Sequence, residues 1–314
     1  MSTETDSNII RNQVRIYTCE SWEDFFVRVR RDIPLPIEPD SWVDCVPTIF
    51  RGHSNPEWKL MSRFERRTTH YTPPDHEGKR TALSLRTGRG VSSYTKACVN
   101  ILAEFRRLSN GMPGIYRGMS DDELWAVGRH HGLTTPLLDW TESPYVAAYF
   151  AFREDAHDFE RCAGSISTRP GFVRVWGLRF WESLEVAGEF ELLKDIPPSS
   201  RQLAQRGIFT KLLSEKHPDL QTYLESKGAA HCLEAYDIPK RHASQALCDL
   251  NLMNVTPSTL FPDLSGAADQ ANLDFDSARM FSAFMTRSEP LMADLIAKAA
   301  EPTVEADPAA GAKE

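Results

Sequence analysis

Residues 129–152 read RHHGLTTPLLDWTESPYVAAYFAF, and the parsing of this stretch into a helix end, a short strand and a new helix decides the fold. Just upstream, Ser120-Asp121-Asp122-Glu123 has the form of a capping box. There the serine hydroxyl and the glutamate carboxylate satisfy the free amides of a helix that begins near Asp121. Gly132 stops that helix. Downstream, Ser143-Pro144 marks a second helix start, because proline at the first helical position gives up only an N–H that has no partner anyway. This helix is expected to run from Tyr145 to about Phe152. Between the two, Leu137 and Leu138 read as a buried strand, and Thr135, Asp139 and Thr141 are polar residues that must find partners there. A strand that ends in Asp-Trp-Thr and feeds a helix N-terminus makes a pocket for an anionic ligand. In the plainer reading, Asp139 and Thr141 cap the helix that follows.

Working toward the N-terminus, a helix resumes at about Tyr94, with Ile101, Leu102, Phe105 and Leu108 as its expected buried side. Before it, residues 66–93 are rich in Thr, Pro, Gly and basic side chains and read as a long basic loop or insertion. Ile49-Phe50 reads as a short strand entering Arg51-Gly52, and Ser54-Asn55-Pro56 turns the chain back. An arginine at a strand end offers a bidentate donor, and the glycine beside it allows close backbone access, which suits a pyrophosphate or ribose phosphate. The alternative is a structural arginine that bridges carboxylates. Residues 33–40, IPLPIEPD, form a proline-broken connection. Trp22, Phe25, Phe26 and Val29 recur at helical spacing and form an apolar face.

Toward the C-terminus, Gly171–Phe180, Gly207–Leu213 and Ala230–Ile238 read as strands, with Arg201 and Gln205 placed just before the second. Turns rather than regular crossover helices separate them, and no G-x-G-x-x-G or P-loop is present. The pattern favours an α+β fold with a mixed sheet over a doubly wound parallel one. A helix is expected from Ser244 toward Asn254, then a compact apolar turn at Leu260–Leu264 and a last helix around Ala278–Ala300.

The 314 residues are 41% hydrophobic and 25% charged, a composition able to bury a sizeable core. The net charge of −8 argues against a protein that coats nucleic acid. Six cysteines stand far apart without a C-x-x-C pair, so neither a disulfide framework nor a zinc site is expected. No apolar run approaches a membrane span and no secretory signal pattern opens the chain, which leads to the expectation of a cytoplasmic protein with no membrane partner.

Four blocks carry a resemblance. IFRGHSNPEWKLMSRFERR (49–67), HHGLTTPLLDWTESPYVAAYFAF (130–152), SSRQLAQRGIFT (199–210) and TLFPDLSGAA (259–268) together resemble the FRG-domain family, named for a Phe-Arg-Gly motif carried here by Phe50, Arg51 and Gly52. The resemblance implies an FRG domain at 45–268, and the flanking residues are expected to form an N-terminal segment and helix at 1–44, a C-terminal helical segment at 269–300 and a disordered tail at 301–314. The order of the blocks is in turn similar to the three-part layout of ADP-ribosyltransferases. That likeness implies a mostly antiparallel sheet with surrounding helices and NAD as cofactor. Arg51, Gly52, Thr135, Thr141 and Arg201 would then serve cofactor binding. Asp139, Gln205 and a histidine, His131 or its neighbour His130, would serve catalysis. Cleavage of the nicotinamide bond passes through an oxocarbenium-like sugar, which calls for a clamped cofactor and nearby negative charge. The implied protein is a toxin or effector acting on RNA or protein, in anti-phage defence or a toxin–antitoxin pair, and restrained by a neutralising partner. Two rival readings stand beside it: a non-catalytic module that binds a nucleotide or phosphorylated ligand, and a metal-independent nuclease using His130 or His131.

Overall fold

The computed structural model describes residues 12–32, 48–69, 81–83, 91–157, 171–180, 184, 189–194 and 196–275. In chain order these form β1 (Arg15–Thr18), α1 (Trp22–Asp32), β2 (Thr48–His53), α2 (Arg63–Thr69), β3 (Thr81–Leu83), β4 (Val91–Ser93), α3 (Tyr94–Ser109), α4 (Asp121–His130), β5 (Leu137–Thr141) and α5 (Pro144–His157). There follow β6 (Phe172–Arg179), β7 (Phe190–Leu193), α6 (Ser200–Ala204), β8 (Gly207–Leu212), α7 (Leu220–Ser226), β9 (Leu233–Pro239), α8 (Ala243–Leu252) and α9 (Pro257–Leu260). A further helical stretch covers 264–275.

Seven strands form one mixed sheet in the order β1-β9-β6-β2-β5-β8-β7, and β3 and β4 pair separately. Within the large sheet β1 runs parallel to β9, and every other neighbouring pair is antiparallel. The α+β expectation with a mostly antiparallel sheet therefore holds. The edge strands β1 and β7 were not expected from the sequence, and β1 draws the N-terminal segment into the sheet.

The helices follow their local signals. Both halves of the Ser120 capping box form, with the hydroxyl accepting from the Glu123 amide. Gly132 closes α4 at φ +85°, a left-handed conformation that glycine adopts without a Cβ penalty. In α1 the apolar face buries Trp22, Phe25 and Val29, each worth about 1.5–3 kcal/mol when moved out of water. The segment expected to be a loop from Arg66 departs from that reading. Residues 66–69 continue α2, and a two-stranded ribbon brackets 84–90. Phe64 is the one apolar residue in the α2 sequence RFERRTT and packs in the core, too little for an apolar repeat to show. In α3, Leu108 is exposed, and Tyr94, Ala97, Cys98 and Leu102 form the inner face. The helix expected at 278–300, the tail and the connection at 33–40 lie outside the described residues.

Helices α1, α5 and α8 pack against the inner residues of β2, β6 and β9. On the opposite face, Ile49, Leu138, Trp140 and Trp176 meet α7. A third cluster joins α2, α3 and α4 to Leu137 and Phe209. Among the described residues no helix is long and apolar enough to cross a membrane.

The contact that brings the site together is α5 on β2. A Cβ at Gly52 would stand 1.9 Å from the Ala147 carbonyl oxygen and 2.6 Å from the Ala151 nitrogen. The strand can approach the helix this closely because residue 52 has no side chain.

Candidate functional site

Strands β2 and β5 share a single ladder pair, Phe50 with Thr141. Beyond it the strands part, and a cavity of about 890 Å³ opens there. Arg51 bridges the parting: its Nη1 donates to the Asp139 carbonyl oxygen at 2.6 Å and lies 3.6 Å from the Asp139 carboxylate. A side chain thus takes the place of further rungs between the two strands.

The Asp139 carboxylate faces the cavity with its side chain 42% exposed, and Arg129 from the last turn of α4 clasps both of its oxygens. The Nε–Oδ1 distance is 3.2 Å and the Nη2–Oδ2 distance 2.5 Å. This paired geometry is the strong form of the interaction. Burial pushes the Asp139 pKa up, but the Arg129 and Arg51 guanidinium groups outweigh it, so the group titrates below the ordinary carboxylate range. A third guanidinium, Arg66 of α2, lines the same cavity and has no carboxylate partner among the described residues. Burial and the neighbouring Arg129 charge lower its pKa. Three guanidinium groups therefore line the cavity, two of them engaged with the Asp139 carboxylate, an arrangement that attracts a further anion.

The outer wall is aromatic and basic. Trp58 stands 48% exposed at the lip. Opposite, Arg153 and Arg201 both stack on the Phe261 ring, at 4.8 and 5.1 Å from its centroid. Arg153 also pairs with Asp269 and Arg201 with Asp263, which fastens the 260–269 segment to α5 and α6.

Of the residues singled out in the sequence, Arg51, Gly52, Asp139, Thr141, Arg201 and Gln205 all line this cavity. Their roles differ in part from expectation. Gly52 is needed for the approach of α5. Thr141 accepts from the Ser143 amide and donates to the Gln205 carbonyl, so it secures the start of α5. Asp139 does not cap that helix. Gln205 lines the cavity, but its amide nitrogen donates to the Leu260 carbonyl. Two residues lie elsewhere. His131 closes α4 as its exposed C-cap, outside the cavity lining. Thr135 is completely buried behind the strand, and its hydroxyl has no hydrogen-bond partner among the described residues. Of the two adjacent histidines, His130 is the one that reaches the cavity, with Nε2 3.0 Å from Ser199 Oγ. Arg129 and His53 were missed, and Arg66 was read only as one of the basic residues of the 66–93 loop that could contact phosphate. The signal for Arg129 was its place in the last turn of a capped helix ten residues before Asp139. Among the described residues no cluster of His, Cys, Asp and Glu is arranged to hold a metal ion.

Residues 47–160 match the FRG domain family. The chain carries an FRG domain. The matched span begins at β2 and runs through α5, so the FRG domain contains Arg51, Arg66, Arg129 and Asp139. Arg201, Gln205 and Phe261 complete the cavity from beyond that span. No curated protein and no solved structure matches the chain.

Proposed function

We propose that the FRG-domain cleft binds a nucleotide through its phosphates, with NAD as the candidate, and that the protein is an ADP-ribosyltransferase-like effector acting on RNA or protein. The observation that carries this reading is the cluster of Arg51, Arg66 and Arg129 in one cavity of about 890 Å³, where Arg51 and Arg129 both engage the carboxylate of Asp139. That volume falls in the range of small-molecule sites. The donor set fits a pyrophosphate, since guanidinium groups match phosphate oxygens in pairs and outnumber the local negative charge. The three-part layout is supported by Arg51 on β2, Asp139 and Thr141 on β5 and Gln205 before β8, which all line one cavity.

NAD bound there would supply an activated glycosidic bond, whose cleavage releases nicotinamide and passes ADP-ribose to a nucleophile. Arg66 and the Nη2 edge of Arg51, which makes no hydrogen bond among the described residues, would hold phosphate oxygens. Asp139, kept ionised by its two arginines, supplies a fixed negative charge toward the cavity. Glutamine cannot accept a proton, so His130 rather than Gln205 is the residue able to take one from the acceptor. An enzyme of this kind needs restraint, and a neutralising protein partner is part of the proposal.

A second reading, a binding module without catalysis, is favoured by the engagement of both Asp139 oxygens with Arg129. Incubation with labelled NAD and total cell lysate, followed by nuclease or protease, separates the two. Label transferred and lost to one treatment supports the transferase and names its target class. Binding without label transfer or free nicotinamide supports the module. RNA degraded without NAD supports a nuclease built on His130. For a transferase, Arg51→Ala and Asp139→Asn each abolish transfer, and full activity in either variant removes the assignment of this site.

A further inference from the structure

At the end of β2, one residue past the glycine, His53 lies beneath the cavity and is only 5% exposed. Its Nε2 accepts the Nε–H of Arg51 at 3.1 Å. Its Nδ1 lies 3.2 Å from the Trp58 carbonyl oxygen and 3.2 Å from the Trp176 indole nitrogen. These contacts select one form of the ring. A guanidinium is a donor at every accessible pH, so Nε2 must carry no proton. A neutral imidazole then has its proton on Nδ1 and donates it to Trp58. The Trp176 N–H would bond only to the opposite tautomer, in which Nε2–H would face Arg51 Nε–H. Arg51 on its own strand, Arg66 of α2 and Arg174 of β6, whose guanidinium pairs with Asp237, place positive charge near the ring. Burial and these charges hold the imidazole pKa down to about 3.

We propose that His53 is a positioning residue of the cleft: as an uncharged acceptor it aims the Arg51 guanidinium at Asp139, and through Nδ1–H it ties down the turn that carries Trp58. Arg51 is thereby held at Nε by His53 and at Nη1 by Asp139, which leaves its Nη2 edge fixed for a ligand. A donor ordered in advance loses little freedom on binding, so affinity depends on the acceptor behind it. Trp58, at the lip, is set by the same ring. The inference rests on the nucleotide reading for its ligand but not for the state of His53.

Titration calorimetry of the full-length protein with ADP and, separately, with inorganic pyrophosphate provides the ligand measurement. His53→Leu is expected to weaken binding of both by about tenfold or more. His53→Gln, whose amide offers one acceptor and one donor group, is expected to restore affinity to within about threefold of the natural protein. Unchanged affinity in His53→Leu, or a Gln variant no better than the Leu variant, overturns the proposal. Ring-nitrogen NMR of the unaltered protein needs no ligand and stands even if His53→Leu fails to fold. It should show one neutral tautomer with the proton on Nδ1 between about pH 5 and 8. A ring that titrates in that interval, or carries its proton on Nε2, overturns the proposal. If the unaltered protein binds neither probe, the nucleotide reading fails and the tautomer alone decides the role of His53.

Discussion

Alanine at position 52 would place a methyl carbon against the Ala147 carbonyl and the Ala151 nitrogen, both main-chain atoms of α5. Neither can rotate away as a side-chain tip would, so strand and helix must separate. Gly52→Ala is expected to cost about 3 kcal/mol or more, at the upper end for overpacking, read from the midpoint of denaturant unfolding. Asp139 gives a prediction in pH. Its folded pKa lies below the unfolded value, so the stability it contributes is complete above about pH 4 and is lost as pH falls through the folded value. Unfolding midpoints measured from about pH 5 downward should therefore fall more steeply in the natural protein than in Asp139→Asn. Arg51 and Asp139 were recognisable in the sequence because each sits on a short strand that runs into a strong turn or helix-start signal. Arg129 and His53 were not, since what defines them is the neighbour each touches, and that contact exists only once β2, α4 and β5 have assembled.

Capping and turn chemistry account for the elements that the sequence revealed. The Ser120 box, Gly132 and Ser143-Pro144 act within a few residues, so α4, β5 and α5 could be placed from local pattern alone. Strands β1 and β7 have four residues each, and β1 is mostly exposed. Such short segments show no alternation that stands out, and pairing partners alone define them. Ser120→Ala removes one half of the capping box and should destabilise the protein by about 1 kcal/mol. Because α4 carries Arg129 in its last turn, the same variant tests whether the helix start matters to the cleft. Its stability should drop while the affinity of the cleft for ADP changes by less than about threefold, since capping effects fade beyond the first turn.

Across the molecule, the cleft depends on pieces far apart in the chain. Arg201, Gln205 and Phe261 complete a wall begun by Arg51 and Asp139, and the Arg153–Asp269 and Arg201–Asp263 pairs hold it closed at the side. Edge strand β1 shields β9, where Tyr17 stacks on Tyr236 at 5.4 Å. A variant that begins at Trp22 should expose the β9 edge and self-associate with rising concentration, as light scattering would detect. The parallel pairing of β1 and β9 also bears on how the chain matures on the ribosome. Arg15 aligns with Glu234, so β1 finds its partner only after more than two hundred further residues have been made, a wait of roughly 10–40 s at ordinary elongation rates. Closure of that edge is thus a late event in biosynthesis, and the nascent chain must keep β1 apart from β9 until then.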